Sequence, residues 1–286
     1  MSRSFSPVVA PPLDEQQGST FPRAVEVMQR LLAPDGCPWD REQTFESLRR
    51  FVLEEASEVV DAIDDGDRKE LCGELGDLLF QVVFQAELAR REGSFGPDDV
   101  IKAICDKLVR RHPHVFGDTK IAGGSTEVLK NWERIKAAER AAKGESEKDK
   151  GVLGSVARSL PALLRAQRIG EKVARVGFDW PDARGSRAKV AEEIAELDAA
   201  IESGDPDRIE AEMGDVLFAL VNLSRHLNLD AESALRRTID KFTRRFAVVE
   251  RRVHEKHGGW PTSHDDTRLG LEELDSYWEE AKRSGI

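Results

Sequence analysis

A pattern of four acidic residues occurs twice in this chain of 286 residues, with the same internal spacing both times. In each copy Glu-x-x-Glu precedes Glu-x-x-Asp, and corresponding acids are 138 positions apart. The two copies consist of Glu55, Glu58, Glu74 and Asp77, and of Glu193, Glu196, Glu212 and Asp215. A period of this length indicates a duplicated domain rather than a solenoid of short repeats.

Each copy of the pattern lies in a predicted pair of helices joined by a tight turn. Apolar residues recur at intervals of three and four around the acids, which indicates amphipathic helices. Gly66-Asp67 and Gly204-Asp205-Pro206 interrupt this periodicity and predict the turns. Helices joined by so short a turn form an antiparallel hairpin, so the acids of one copy can converge on one point. We predict helices over about residues 22–33, 44–64, 68–91 and 98–111, and over about 186–203, 207–227 and 230–256.

The length and composition of the chain fit two domains of this kind. A chain of 286 residues allows roughly two domains of about 100–200 residues each. No alternating strand pattern is present, so the predicted fold is all-α, with two tandem helical bundles. We expect a disordered tail over residues 1–20, helical domains over 21–138 and 158–286, and a charged linker over 139–157.

Charge and cysteine content exclude several classes of protein. The formal net charge is −11, which disfavours binding to a nucleic-acid polymer, because such a surface is basic. The three scattered cysteines, Cys37, Cys72 and Cys105, form no disulfide framework and favour a reducing cytoplasm. No run approaches the roughly 18 apolar residues of a membrane span. The N-terminus lacks the charged and apolar regions of a signal peptide.

Paired carboxylates on neighbouring helices predict a site for a hard divalent cation, because Mg²⁺ prefers oxygen ligands. The alternative is that they are solvated acids on amphipathic helices. Their repetition in fixed register argues against this alternative, as does their place on or beside apolar stripes, where unpaired acids are costly. A di-iron bundle would carry Glu-x-x-His on two helices, and these segments lack the histidine. A P-loop is also absent.

Several longer motifs carry a resemblance to a known family. They are Gly36-Cys-Pro-Trp-Asp40, Glu54-Glu55-Ala-Ser-Glu58, Gly73-Glu-Leu-Gly-Asp77, Arg110-Arg-His-Pro-His-Val-Phe116, Arg158-Ser-Leu-Pro-Ala162, Val176-Gly-Phe-Asp-Trp180 and Glu212-Met-Gly-Asp215. Over about residues 21–286 the chain resembles the two-domain MazG-type nucleoside triphosphate pyrophosphohydrolases, and the first twenty residues depart from the pattern.

The resemblance implies tandem MazG-like all-α bundles, a homodimer and dependence on Mg²⁺. It implies hydrolysis of NTPs or dNTPs to a monophosphate and pyrophosphate, in the upkeep of the nucleotide pool or in a response to stress. The acids of the pattern would then be metal ligands and catalytic groups.

Cations on a later helix are candidates for holding the phosphates. Lys241 and Arg245 lie four residues apart on one helix face, and their counterparts in the first half are Lys107 and Arg111. A solvated basic face is the alternative. The resemblance implies that these positions and a later tryptophan contact the nucleotide. That tryptophan would be Trp278, with Trp132 as its N-terminal counterpart, and the alternative is a packing aromatic.

The two copies differ in the residues beside their acids. Lys189 and Arg208 each lie four residues before an acid of the second copy, and Phe51 and Glu70 occupy the same positions in the first. A triphosphate should prefer the more cationic copy, although Arg50 and Lys69 lie close by in the first. We therefore expect the second copy to be the nucleotide site and the first to be structural, regulatory or weakly active.

Two other functions stay open at this point. The chain could be a non-catalytic helical dimer with vestigial acid sites, or a specialised pyrophosphatase for dUTP or a phosphoribosyl nucleotide. Cations beside each acid pair favour an enzyme, because a scaffold has no need of them.

Overall fold

The structure is a computed structural model that describes residues 20–117, 124, 127, 128, 131, 132, 134, 135, 138, 139, 151–261 and 269–285. Every regular element among these residues is a helix, which confirms the all-α prediction. The chain forms two compact units that divide between residues 137 and 138, here called unit 1 and unit 2. Residues 1–19 of the expected tail and 140–150 of the expected linker lie outside the described residues.

Unit 1 is built around a long helical hairpin. Its helices are α1 (Phe21–Leu31), α2 (Pro38–Arg41), α3 (Phe45–Asp65), α4 (Arg68–Arg91), α5 (Pro97–Arg111) and α6 (Pro113–Phe116). Helices α3 and α4 pack along each other, and α1 and α5 both pack on α4. The hairpin therefore carries the first acid pattern, with α1 covering one of its faces.

Unit 2 repeats the hairpin and packs further helices around it. Its helices are α7 (Ala162–Ala174), α8 (Ala183–Ser203), α9 (Pro206–His226), α10 (Ala231–His257) and α11 (Leu271–Arg283). Helices α8 and α9 form the hairpin, α7 packs on α9 and α10, and α11 packs on α10. The helices predicted from sequence begin and end within about three residues of these bounds. The sequence reasoning did not anticipate α7 and α11.

The same turn closes both hairpins, as the sequence predicts. The glycines after α3 and α8 adopt left-handed backbone, with φ of 74° at Gly66 and 69° at Gly204, a conformation that glycine adopts without steric cost. The next residue begins the second helix as its N-cap. The carboxylate of Asp67 accepts hydrogen bonds from the backbone of α4, and that of Asp205 does the same for α9. These paired caps fix the register of each hairpin.

The cores of the two units differ in the size of their side chains. Unit 1 buries a cluster that includes an aromatic ring and consists of Met28, Leu32, Leu48, Val83 and Phe84. The buried apolar residues in the described part of unit 2 are valines, alanines and one leucine. No described helix has the length and apolar content that crossing a bilayer would need.

Candidate metal and nucleotide site

Three acids from each pattern converge, as the hairpin predicts. In each unit, two glutamates from the first hairpin helix and one from the second place a carboxylate oxygen each within 4.8 Å of the others. The two clusters are Glu55, Glu58 and Glu74 in unit 1, and Glu193, Glu196 and Glu212 in unit 2. The fourth acids, Asp77 and Asp215, lie one helical turn further along and outside these triads. Three converging oxygens from three carboxylates are a donor set that suits a hard divalent cation.

The acids of unit 1 repel one another. Partial burial raises the pKa of Glu55, and the charges of Asp77 and Glu58 raise it further. Burial also raises the pKa of Glu74, followed by the charges of Glu58 and Asp77. Both groups therefore resist ionisation in the metal-free protein, and a bound cation would relieve that cost.

The acids of unit 2 have cations beside them. The ammonium of Lys189 lies 2.8 Å from a carboxylate oxygen of Glu193 and 2.7 Å from one of Glu192. These two hydrogen bonds raise the pKa of Lys189. Glu193 is buried, with 6% of its surface exposed, so the ion pair compensates a carboxylate that would otherwise be costly. Arg208 lies 4.0 Å from Glu212 on the partner helix.

Lys189 also acts on the remaining acid of this cluster. Burial raises the pKa of Glu196, the charge of Glu193 raises it further, and the charge of Lys189 lowers it. The structure thus brings Lys189 and Arg208 against the acids of unit 2, where the sequence reasoning expects them.

The corresponding positions of unit 1 hold an aromatic ring and an acid. Phe51 packs against the apolar core cluster, and its ring meets that of Trp39 edge-on at 5.9 Å. The guanidinium of Arg50 lies 4.5 Å from the centre of the Phe51 ring. The charge of Glu70 raises the pKa of Glu74 further. Arg50 lies one position before Phe51, but its guanidinium lies over the Phe51 ring. Arg50 therefore does not replace in unit 1 the ion pair that Lys189 makes in unit 2.

The cations and tryptophan expected to contact the nucleotide lie on α10 and α11. The guanidinium of Arg245 is 5.9 Å from the ring of Trp278, and Lys241 is exposed one turn earlier. The Trp278 ring also lies 4.9 Å from that of Phe242, which stacks on Phe246 at 6.0 Å. Sequence reasoning missed this aromatic group, although the two phenylalanines at i and i+4 mark one helix face.

The unit 1 counterparts of these residues occupy different surroundings. Lys107 is exposed at the edge of a depression lined by Phe95 and Ile104, and Arg111 is half-buried. The ring of Trp132 meets that of His112 edge-on at 5.1 Å. The N-terminal tryptophan thus contacts a histidine ring at the end of α5.

A cavity of about 180 Å³ opens beside the acid cluster of unit 2. Three of its lining residues, Lys189, Glu193 and Asp215, belong to the predicted site. The others come from α7, α9 and the segment before α8, namely Gly170, Val173, Phe178, Asp179, Trp180, Phe218, Ala219, Asn222 and Arg225. Sequence reasoning did not identify this cavity, because the side chains of residues 178–180 do not lie on a predicted helix.

An ion pair holds one wall of the cavity. Arg225 donates from its two terminal nitrogens to the carboxylate of Asp179, at 2.9 and 2.5 Å, and His226 lies 2.9 Å from the same carboxylate. The hydrogen bonds from Arg225 are the main reason that the pKa of Asp179 is lowered, and those with His226 add to them. The ion pair between Asp179 and Arg225 holds residues 178–180 against α9.

Comparisons with known proteins identify the family. The model of the MazG nucleotide pyrophosphohydrolase domain matches residues 43–116 and 184–249, once in each unit. A nucleoside triphosphate pyrophosphohydrolase of Escherichia coli strain K12 is 48% identical over 267 residues, which cover 92% of this chain and 97% of the relative. A protein of Thermotoga maritima named nucleoside triphosphate pyrophosphohydrolase/pyrophosphatase MazG is 45% identical, over 94% of this chain and 98% of its own.

A crystal structure of a MazG-related protein from Thermotoga maritima is also similar in sequence. It is 28% identical, with a TM-score of 0.36, and the match covers 41% of this chain and 98% of that one. The family of this chain is shown by its sequence identity to the E. coli and T. maritima relatives over nearly their whole length, and the TM-score plays no part in it. With one family domain in each unit and relatives this similar over almost their full length, the chain belongs to the MazG nucleotide pyrophosphohydrolase family.

Proposed function

We propose that the protein is a Mg²⁺-dependent enzyme that hydrolyses nucleoside triphosphates between the α and β phosphates. The products would be a nucleoside monophosphate and pyrophosphate, and both ribose and deoxyribose nucleotides would be substrates. The observation that carries this proposal is the acid cluster of unit 2, in which three carboxylates converge within 4.8 Å while Lys189 and Arg208 lie beside them. The names of the E. coli and T. maritima relatives support the same reaction.

The residues of the chain suit the parts of this reaction. Glu193, Glu196 and Glu212 would hold the metal, with Asp215 one turn away at the edge of the cavity. A divalent ion held there neutralises phosphate charge and lowers the pKa of a bound water. Lys189 pairs with the buried Glu193 carboxylate at 2.8 Å and so compensates its charge within the cluster.

Positive side chains on α10 would hold the phosphates. Lys241 would act as a point charge, and Arg245 would use its planar fork. The contact of Arg245 with Trp278 places an aromatic surface next to that fork. Hydrolysis of surplus or stress-related nucleotides would be the physiological role.

The experiment that tests this proposal is incubation of the whole protein with Mg²⁺ and a panel of substrates, followed by identification of the products. The panel contains the common NTPs and dNTPs, dUTP and a phosphoribosyl nucleotide. Monophosphate plus pyrophosphate is the expected result. Diphosphate plus orthophosphate would contradict it, and no turnover of any substrate would favour the scaffold. Turnover confined to dUTP or the phosphoribosyl nucleotide would identify the specialised pyrophosphatase.

We also propose that the chain forms a homodimer. Both hairpins expose apolar residues at the same repeat positions, at intervals that form one helical stripe. In α4 they are Leu75, Leu79 and Val82, and in α9 they are Met213, Leu217 and Leu220, and all of these side chains are exposed. Apolar stripes of this kind are typical of protein interfaces.

The dimer is tested by light scattering on the purified protein. We expect twice the chain mass of 31.9 kDa, and we expect Leu217→Glu to weaken the association, because it places a charge in the interface. Ala199→Glu on the neighbouring helix, at an exposed position, is the matched control. A wild-type protein that is monomeric at all concentrations would refute the dimer.

The free cysteines Cys37, Cys72 and Cys105 support our placing the protein in the reducing cytoplasm.

A further inference from the structure

The cavity of unit 2 continues directly from its acid cluster. Lys189, Glu193 and Asp215 line the end nearest the acids. Among the residues that line the rest are three aromatic side chains, Phe178, Trp180 and Phe218. A triphosphate whose phosphates meet the acids would therefore carry its nucleoside towards these walls. The same region of unit 1 can be compared position by position, because the chain is duplicated.

Two offsets relate the cavity residues to unit 1. The offset of 138 residues that relates the acids also pairs the positions on α3 and α4 with those on α8 and α9. An offset of 141 pairs Trp39 with Trp180 and extends back through α1 and α7. The structure supports both offsets, because one contact between the two paired helices recurs at the paired positions of both units. Gln29 of α1 donates to Glu87 of α4 at 3.2 Å, and Gly170 lies against Arg225 at the paired positions.

Among the helix residues of the cavity wall, Phe218, Glu193 and Asp215 have the same residue at their paired positions in unit 1. All the others have a different one. Gly170, Val173, Lys189, Ala219, Asn222 and Arg225 pair with Gln29, Leu32, Phe51, Gln81, Phe84 and Glu87. At five of these six positions the side chain in unit 1 is larger than its partner in unit 2. It is smaller only where Glu87 pairs with Arg225.

The larger residues of unit 1 fill the region that is open in unit 2. Phe84 is 0% exposed and Leu32 is 1% exposed, and Phe51 packs against the cluster that they form. The ring of Phe80 meets that of Phe84 at 5.5 Å, whereas the paired Phe218 lines the cavity. The core of unit 1 thus extends to the space beside its acids.

Glycines keep the walls of the unit 2 cavity in place. A Cβ atom at Gly170 would lie 3.2 Å from Arg225 and 3.4 Å from the amide oxygen of Asn222, so a side chain there would press on both. A Cβ atom at Gly185 would lie 2.3 Å from the ring of Trp180. The tryptophan can therefore lie on the start of α8 only because residue 185 is glycine.

We propose that this cavity receives the base of the nucleoside triphosphate, and that Ala219 and Asn222 make unit 2 the nucleotide-binding copy by leaving it open. This inference rests on the proposed function of the acid cluster. In unit 1, Gln81 and Phe84 occupy the paired positions, so its acids keep room for a cation and lose the room for a base.

The size and chemistry of the cavity suit a planar aromatic base. A volume of about 180 Å³ is below the roughly 300–1,000 Å³ of sites for whole drug-sized ligands, so the cavity takes one ring system rather than a whole nucleotide. Aromatic walls offer stacking surfaces to every base, since each base has a π-face. Specific recognition then depends on the few polar groups that line the cavity.

Asn222 offers the base a polar group beside the aromatic walls. Its amide oxygen accepts hydrogen bonds from Arg225 at 2.9 and 2.7 Å. This contact orients the amide, and its nitrogen makes no hydrogen bond to any of the described residues. The nitrogen can therefore donate to a carbonyl or ring nitrogen of a base. Arg225 itself is held by Asp179 and Asn222, so it supports the wall rather than the phosphates.

The test transfers the residues of unit 1 into unit 2. Ala219→Gln, Asn222→Phe and the double variant should fill the cavity. We expect the affinity for a non-hydrolysable NTP, measured with Mg²⁺ by calorimetry, to fall by about tenfold or more, because the base loses its site. Binding of inorganic triphosphate, which has no base, should change by less than about twofold, because the acids and cations are untouched. Ala199→Gln is the matched control at an exposed position of α8.

A second variant protects the test against a failure to fold. Phe178 is 79% exposed, so Phe178→Ala removes one wall without a core cavity, and it should weaken the NTP analogue and spare inorganic triphosphate. Unchanged affinity of these variants for the analogue would overturn the proposal, and so would an equal loss for both ligands. Release of pyrophosphate by the wild-type protein is measured separately, so a failure of the proposed function is distinguishable from a failure of this inference.

Discussion

Units 1 and 2 carry the same acid cluster on the same capped hairpin, but the clusters have different neighbours. In unit 2 the cluster has Lys189 and Arg208 beside it and an open cavity next to it. In unit 1 the positions paired with these cations hold Phe51 and Glu70, and Phe51 packs against the apolar core cluster. We infer from this comparison that the converging carboxylates offer a place for a cation in both units, and we propose that the residues one turn away decide whether a nucleotide can bind beside it.

Retention of the acids in unit 1 needs its own explanation. The raised pKa values of Glu55 and Glu74 arise from burial and from neighbouring acids, so the cluster destabilises the metal-free unit at neutral pH. A cation bound there would remove the repulsion and stabilise the hairpin. Of the structural, regulatory and weakly active roles expected for unit 1, we therefore propose the structural one, as a metal site.

The largest expected difference between the units is in catalysis. Glu193→Gln, Glu196→Gln, Glu212→Gln and Asp215→Asn should each remove most of the pyrophosphate release while leaving helical content intact. Each substitution deletes a charged oxygen ligand at nearly constant volume. The measurement is turnover beside far-UV circular dichroism.

The matched control is the same change in unit 1. Glu55→Gln combined with Glu74→Gln should leave most of the activity, because Phe51 and Glu70 occupy the positions that Lys189 and Arg208 hold in unit 2. A double variant as inactive as Glu193→Gln would show that unit 1 is catalytic as well. Normal turnover in all four unit 2 variants would refute the assignment of the site.

A smaller effect is expected from the cations on α10. Lys241→Ala and Arg245→Ala should each weaken nucleotide binding by about ten- to a hundredfold, since a charge-assisted hydrogen bond contributes roughly 1.5–3 kcal/mol. The affinity for Mg²⁺ should change much less, because a cationic side chain does not ligate a metal ion. Separate titrations of Mg²⁺ and of a non-hydrolysable nucleotide measure the two effects.

The conservative variant and the unit 1 counterpart sharpen this comparison. Arg245→Lys should recover only part of the loss, because lysine keeps the charge without the planar fork. Lys107→Ala, at the unit 1 counterpart of Lys241, should leave nucleotide affinity unchanged. Equal effects of Lys107→Ala and Lys241→Ala would mean that both units bind nucleotide.

The sequence predicted the hairpins and the convergence of the acids, because both depend on local rules. Helical spacing places acids at i and i+3 on one face, and glycine followed by aspartate closes each turn. The contrast between Lys189 and Phe51 was also visible, since the repeat aligns the two positions.

The cavity could not be predicted, because its walls come from separate parts of the chain. It depends on α7, which the sequence reasoning missed, and on the ion pair between Asp179 and Arg225, residues 46 positions apart. It also depends on small residues such as Gly170 and Ala219. Their importance becomes visible only when the side chains that pack beside them are known. The spacing of apolar residues along a helix does not show where a small side chain leaves a cavity.

The smallest expected effect is on stability, and it separates the units without any substrate. The folded pKa of Glu55 lies above its ordinary value of 4.5. A raised carboxyl pKa contributes stability that is present below that ordinary value and lost as pH rises through the folded pKa. In metal-free buffer near pH ~7, Glu55→Gln should therefore raise the unfolding midpoint by removing the repulsion, and this gain should vanish towards pH ~4.

Glu193→Gln is the comparison in unit 2, and it should give no such gain, because it breaks the ion pair with Lys189. Addition of Mg²⁺ near neutral pH should then stabilise the wild-type protein more than Glu55→Gln, since the ion needs the carboxylate that the variant lacks. Thermal unfolding followed by circular dichroism, with and without the metal at both pH values, measures all of these differences. A gain for Glu55→Gln that is the same at both pH values would show that its carboxylate is not under electrostatic strain. The inference that the charges of the unit 1 cluster destabilise the metal-free protein would then be wrong.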